Sequence, residues 1–502
     1  MDLRLSEDRK FLIIDECSEI EYEQMRLSLT KRIEGWRFHP LVKKKLWDGY
    51  ISYIKGNKIP SGLWKEVLDI GQEFSFETKI SGIKRLFDDD IKEEEFTAWA
   101  TAFFAKHPKY QPRDYQIQAA FRILKYRRCL AELATSAGKT LISFMVIAYL
   151  LEVLKMKRIL FIVPNVSLVL QATEDFDEYN LKDRIPLKIQ QIYSGAKIKK
   201  SSNIVVGTYQ SLVKKDPEYF AEFDVVMVDE THKAKSNSIR SIMDLCWHCD
   251  YRFGLSGTIP KKGTIDRLTL MACTGPLITN VSASFLQEQG HVSPCKVTII
   301  EMDYASEDQK ESFYFLSKSA EDRKNLFSLE QNFVISSQKR KQFIVDVIGK
   351  TNHNSLVLFY RIEQGEALYN TLRQIPGKEV YYVDGGTDKD FREVFKKKME
   401  KNDNVILVAS YGTFSTGISV KKIHNIFLTE SFKSEVIIRQ SIGRGLRKHE
   451  SKNMLNIVDF VDDMRYSGDG RLFKNYLYRH GEARREIYTE QKFPYTVKNI
   501  KF

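Results

Sequence analysis

The chain has no apolar run long enough to cross a bilayer. The longest, Leu141 to Leu151, falls well short of the ~20 residues a spanning helix needs and fits a buried core helix. The start, Met1-Asp2-Leu3-Arg4, is charged and has no signal-peptide core. Cysteine is sparse, six residues scattered over 502, which argues against a disulfide framework and for free thiols in a reducing cytosol. Cys246-Trp247-His248-Cys249 has no second pair at a zinc-ligand spacing, so it reads as a helix end. No short-period repeat or low-complexity tract is visible. Acidic residues are in deficit, 66 against 78 lysines and arginines, for a net charge of +12. An excess of that size suits a polyanionic partner without telling DNA from RNA.

What is present begins with a phosphate cradle. Ala134-Thr135-Ser136-Ala137-Gly138-Lys139-Thr140 follows the apolar run Cys129 to Leu133 and leads into the helical pattern from Leu141. Strand, small-residue loop and helix are the context a P-loop needs. Backbone N–H groups of Thr135, Ser136, Ala137 and Gly138 would turn toward the phosphates of ATP, where the helix N-terminus adds positive potential. Lys139 would reach the β- and γ-phosphates, and Thr140 would place its hydroxyl on Mg²⁺. Ala134 stands where the first glycine of the pattern is usual.

Downstream, Phe223 to Val228 reads as a buried parallel strand ending in Asp229-Glu230-Thr231-His232. An acid at such a strand end lies beside the P-loop in a doubly wound sheet. Asp229 would hold Mg²⁺ and Glu230 would orient or deprotonate water. A third element is Gln440-Ser441-Ile442-Gly443-Arg444-Gly445-Leu446-Arg447. On a helix, the three-residue spacing puts Arg444 and Arg447 on one face, as arginine fingers for the γ-phosphate, with Gln440 in the same motif.

The organisation follows from the alternation of strand-like and helical runs. Residues 1–95 read as a small α+β module, 96–298 as a first parallel-sheet domain, 299–462 as a second, and 463–502 as a helical Tyr/Arg-rich extension. In the small module, Lys43-Lys44-Lys45 beside Trp47 is either a phosphate-backbone contact or a solvated face.

Taken in order, these motifs resemble the superfamily 2 helicases. Arg113-Asp114-Tyr115-Gln116 resembles the adenine-reading Q motif, which implies Arg113 and Gln116 as nucleotide contacts. Val163-Pro164-Asn165 and Gly207-Thr208-Tyr209-Gln210-Ser211 resemble the motifs that grip one strand, implying Pro164, Asn165, Thr208 and Gln210. Phe359-Tyr360-Arg361 and Ser410 to Ser419 resemble later motifs, implying nucleic-acid contacts at Phe359, Arg361 and Thr416. The resemblance also implies coupling of hydrolysis to movement through His232, Ser256, Thr258 and Gly417. A narrower likeness, to the UvsW recombination helicases of T4-like phages, includes Arg37-Phe38-His39-Pro40 and Trp47-Asp48-Gly49. It implies two tandem RecA-like domains and an ATP- and Mg²⁺-dependent DNA motor that migrates Holliday junctions, regresses forks and unwinds R-loops. It further implies a monomer in an infected cell's cytoplasm, working on branched duplex and single strands, with a single-stranded-DNA-binding protein as candidate partner and no membrane role. An RNA helicase, a restriction motor subunit and a non-catalytic annealing protein are the alternatives. Intact Lys139, Asp229, Glu230, Arg444 and Arg447 weigh against the last.

Overall fold

The computed structural model describes all residues except 182–183, 196–201, 233–236, 320 and 418–419; for 237–238, 389–390, 392–393 and 415–417 it describes only the backbone. The chain forms two units, Met1–Val281 and Ser282–Phe502.

The first unit is built on a seven-stranded parallel sheet. Its order is Leu277–Val281, Arg128–Leu133, Tyr251–Ser256, Val225–Val228, Ile159–Val163, Ile204–Thr208 and Ile189–Ile192. Val225–Val228 and Ile159–Val163 are buried along their whole length, as strands covered on both faces must be. A mixed four-stranded sheet (Lys58–Pro60, Phe11–Glu16, Asp2–Leu5, Lys79–Ser81) forms the amino-terminal module. The amphipathic run after Glu21 stops as a helix at Ser28, because Thr30–Arg32 pairs with Tyr50–Ser52 instead.

The module does not stand apart at residue 95. One hydrophobic core runs from Leu3, Leu12 and Ile59 into Leu268 and Met271 of the parallel-sheet domain. Tyr53 donates its hydroxyl to Thr269 at 2.7 Å, and Arg9 pairs with Asp250 at 2.7 Å.

The second unit carries another seven-stranded parallel sheet: Glu379–Val383, Val405–Ser410, Ser355–Phe359, Asn425–Leu428, Leu455–Asp462, Cys295–Asp303 and Tyr495–Lys501. Two expectations change here. The division falls at Ser282 rather than after 298, because Cys295–Asp303 pairs with Leu455–Asp462 of the second sheet. The tail is not wholly helical: the helix Tyr476–Glu490 is followed by Tyr495–Lys501, which pairs with Cys295–Asp303 as an edge strand. Arg484 anchors that helix, fully buried and bonded by Nε and Nη2 to Asp459. No helix among the described residues is long and apolar enough to cross a membrane.

Candidate active site

The P-loop hangs between strand Arg128–Leu133 and helix Lys139–Glu152. Ala137 N–H donates to the Ala134 carbonyl at 2.9 Å, closing the turn. Gly138 has φ +80, and a Cβ there would lie 2.2 Å from Gln116 Nε2, so the position admits only glycine. Gln116 is buried and fully engaged in holding the loop: Nε2 donates to the Ala137 carbonyl at 2.9 Å and Oε1 accepts from Arg113 N–H at 2.9 Å. Tyr115, which sequence reasoning passed over, donates its hydroxyl to the same carbonyl at 3.0 Å.

Strand order brings the acids to the loop. Asp229 follows Val225–Val228, with only Tyr251–Ser256 between that strand and the one feeding the P-loop. Lys139 Nζ lies 2.8 Å from Asp229 Oδ1 and 2.5 Å from Glu230 Oε1. Burial works against the Lys139 charge, but the two carboxylates outweigh it and hold the ammonium above its ordinary value. Burial also pushes both acids up; for Asp229 that wins, whereas Lys139 and His232 hold Glu230 well below the usual carboxylate range. Glu230 has φ +51, a left-handed backbone that a non-glycine residue adopts only under constraint, and its N–H donates to Asp229 Oδ1 at 2.8 Å.

His232 joins the acids to the next loop. Its Nδ1 is 3.2 Å from Glu230 Oε2 and 2.8 Å from Ser256 Oγ. Ser256 spends its only proton on the Thr258 carbonyl at 2.7 Å, so the histidine must donate from Nδ1. Gly257 passes over the P-loop, with its Cβ direction 3.6 Å from Thr135 Oγ1. Thr231 has a structural reason for its hydroxyl: Oγ1 lies 2.9 Å from the carbonyls of both Val228 and Leu255, sharing its one proton between two strands. Thr140 lies on the first helical turn, on the P-loop side of the acids.

In the second unit, Gln440 is buried and Arg444 lies on helix Glu435–Gly445. The helix ends there, so Arg447 lies just beyond it, its N–H donating to the Arg444 carbonyl at 3.4 Å. Both are partly exposed.

The strand-gripping residues divide. Gln210 is exposed, its Nε2 donating to the Pro164 carbonyl at 3.2 Å. Asn165 is partly exposed, and its Oδ1 caps the next helix by accepting from Leu168 N–H at 3.0 Å. Pro164 and Thr208 are buried, so their side chains are not presented to a ligand. Phe359 is corrected outright: it is fully buried, stacked 5.4 Å from Tyr382, because its strand is covered on both faces. The neighbouring Tyr360 is 54% exposed. Arg361 is partly exposed, and its Nη1 donates to Asn332 at 2.6 Å. Thr416 and Gly417 are described in their backbone alone, and Ile418 and Ser419 lie outside the described residues. Lys43, Lys44 and Lys45 are exposed beside Phe38 and Leu46, which are themselves 75% and 73% exposed.

A P-loop and an Asp-Glu-x-His box at the carboxyl ends of one parallel sheet, with a second such sheet carrying the Gln-x-x-Gly-Arg-x-x-Arg motif, define a helicase-type nucleoside triphosphatase of superfamily 2. Residues 109–261 match the family model "Type III restriction enzyme, res subunit". The chain is 32% identical over 97% of its length, and 97% of the relative's, to the ATP-dependent DNA helicase uvsW of Enterobacteria phage T4. It is 23% identical over 81% of its length, and 95% of the relative's, to the DNA 3'-5' translocase XPB2 of Sulfurisphaera tokodaii. The crystal structure of T4 UvsW superposes with a TM-score of 0.50 at 29% identity, covering all of both chains. The chain belongs to the UvsW family of superfamily 2, a family of ATP-dependent DNA helicases.

Proposed function

We propose that this protein is an ATP-driven motor that remodels branched DNA, migrating Holliday junctions, regressing forks and unwinding R-loops. The observation that carries the reading is that likeness to the phage T4 helicase runs through 97% of the chain, the amino-terminal module included. The exposed lysines beside Phe38 and Leu46 give that module the basic surface a duplex arm requires.

The chemistry follows from the charges at the P-loop. Lys139 pairs with both Asp229 and Glu230. A triphosphate offers the ammonium a stronger partner, and drawing it away frees both carboxylates. The Thr140 hydroxyl and Asp229 carboxylate are hard oxygen donors that suit Mg²⁺, which would neutralise developing phosphate charge. Glu230, held ionised, accepts a hydrogen bond from the attacking water. His232 passes the change in Glu230 to the Ser256–Thr258 loop. Arg444 and Arg447 supply transition-state charge from the second unit. The motor works as a monomer on duplex and single-stranded DNA, in the cytoplasm of an infected host, beside a single-stranded-DNA-binding protein.

The test is a panel of fork, Holliday, R-loop and linear substrates scored for ATP-dependent product. Conversion of the branched species is expected. Equal action on linear duplex, or stimulation by RNA alone, would refute the reading in favour of a general or RNA motor.

A further inference from the structure

A cavity of about 600 Å³ opens at the other end of the first sheet, between the parallel strands and the amino-terminal module. Its floor includes Arg128, the first residue of the strand whose far end feeds the P-loop, so roughly 17 Å of strand separates the two places. Arg252 is the register partner of Arg128 on the adjacent strand and lines the same cavity. The two residues are only 5% and 6% exposed.

Their partners are all neutral. Arg128 donates to the carbonyls of Arg9 at 2.6 Å and Trp247 at 2.9 Å, and to Ser61 Oγ at 3.4 Å. Arg252 donates to the carbonyls of Cys273 at 2.7 Å and Cys246 at 3.4 Å. Among the described residues, neither forms an ion pair with a carboxylate. The chain treats its other fully buried arginines differently: Arg340 pairs with Asp462 at 2.6 Å and Arg484 with Asp459 at 2.7 Å. Arg128 ties module to sheet and Arg252 bonds carbonyls at the carboxyl ends of helices Asn237–Leu245 and Ile265–Cys273, but neither role supplies an anion to balance the two adjacent charges. Burial, with Arg252 and Arg9 nearby, pulls the Arg128 guanidinium well below its ordinary value, a cost that an anion would relieve.

The rim is built for the same kind of ligand. Lys10, Lys55, Lys58 and Arg240 add positive charge, and Asp244 is the one carboxylate of the lining. Trp47 and Tyr50 line the cavity, and two ammonium groups lie over the Phe11 ring, Lys10 at 5.7 Å and Lys58 at 5.8 Å. Buried guanidinium groups beneath aromatic faces match a phosphate joined to a planar base. The volume lies within the ~300–1,000 Å³ typical of small-ligand sites.

We propose that this cavity is a second nucleotide-binding site, taking a phosphate on Arg128 and Arg252 and a base against Trp47 and Tyr50. The nucleotide is either free or part of a DNA strand; the chemistry is shared. The proposal does not rest on helicase activity, since its test reads binding.

The full chain, with its P-loop filled by one equivalent of a tightly bound non-hydrolysable ATP analogue and the excess removed, is titrated calorimetrically with thymidine 3′,5′-bisphosphate. One further site is expected. Arg252→Gln should weaken it about tenfold, as should Trp47→Ala or Lys58→Glu at the rim, the loss of one charge-assisted bond or stacked face. Should Arg252→Gln lower the melting temperature, the two rim variants carry the test alone. Inorganic phosphate should compete far more weakly than the bisphosphate. Displacement by a short oligo-dT would support a strand as the source, and retention against it a free nucleotide. No binding with the P-loop filled, binding indifferent to all three substitutions, or phosphate binding as tightly as the bisphosphate would each overturn the proposal.

Discussion

Lys139 and Asp229 meet with Nζ 2.8 Å from Oδ1, although a whole strand, Tyr251–Ser256, separates the strands that carry them. Lys139 is the cation that Asp229 and Glu230 share, so Lys139→Ala has two expected consequences. ATP hydrolysis is lost, because the phosphate clamp is gone. Stability at neutral pH also falls, by about 3 kcal/mol, since two carboxylates remain without their cation. Asp229, already above its ordinary range, then rises further and keeps a proton the unfolded chain releases. Stability should therefore recover as pH falls below neutral. Wild-type turnover, or a melting temperature that ignores pH, would count against this account.

Arg447→Ala should leave ATP binding intact while kcat drops by roughly three to five orders of magnitude, the usual size of an arginine-finger effect. Nucleotide affinity and single-turnover hydrolysis, measured together, check it. Loss of binding along with turnover would point to folding, as would a fall in melting temperature.

Replacing Lys43, Lys44 and Lys45 by glutamine should flatten the dependence of DNA affinity on salt. The slope of log K against log[salt] is expected to fall by up to ~0.9 for each phosphate contact removed. An unchanged slope returns those exposed residues to plain surface.

Glu330 supplies the pH prediction. It is fully buried in helix Leu326–Ser336, with Oε2 accepting from Leu477 N–H at 3.1 Å at the start of the distant helix Tyr476–Glu490. Burial pushes its carboxyl from 4.5 to about 7, against the lowering effect of the backbone bonds. The folded state thus holds a proton that the unfolded chain releases above its ordinary pKa. The stabilisation is complete below pH ~4.5 and is lost as pH rises through 7, a change on the order of 3 kcal/mol. Glu330→Gln should flatten the melting curve across that window. A wild-type pH profile in the variant would refute the assignment.

Phe359 and Tyr360 should separate cleanly. Phe359→Ala is expected to cost about 3–5 kcal/mol of stability as a core truncation, read by denaturant unfolding. Tyr360→Ala should leave stability within about 0.5 kcal/mol and lower DNA affinity instead. Reversed effects would restore the first reading of the motif.

Much of the site was legible because it is local. The small-residue loop ahead of Lys139, the acids ending an apolar strand and the glycine at 138 follow from a few neighbouring residues. The purpose of the Thr231 hydroxyl was not legible, since it needed the Leu255 carbonyl on a different strand. The helical spacing that joins Arg444 to Arg447 runs two residues past the point where the helix ends. The tail read as helical because its helix dominates the composition, whereas Tyr495–Lys501 becomes a strand only by finding Cys295–Asp303 almost two hundred residues away.

The sequence by itself determined the order of strands, loops and helices, and which residue types reach each strand end, since periodicity and backbone sterics act over a few residues. Tertiary structure alone decided which strands are neighbours, and so that Lys139 meets Asp229, that Phe359 turns inward, and that Arg128 lies beside Arg252 beneath the amino-terminal module. The physical reason is that pairing and burial join residues far apart in the chain, and the charge each side chain meets there is set by that packing.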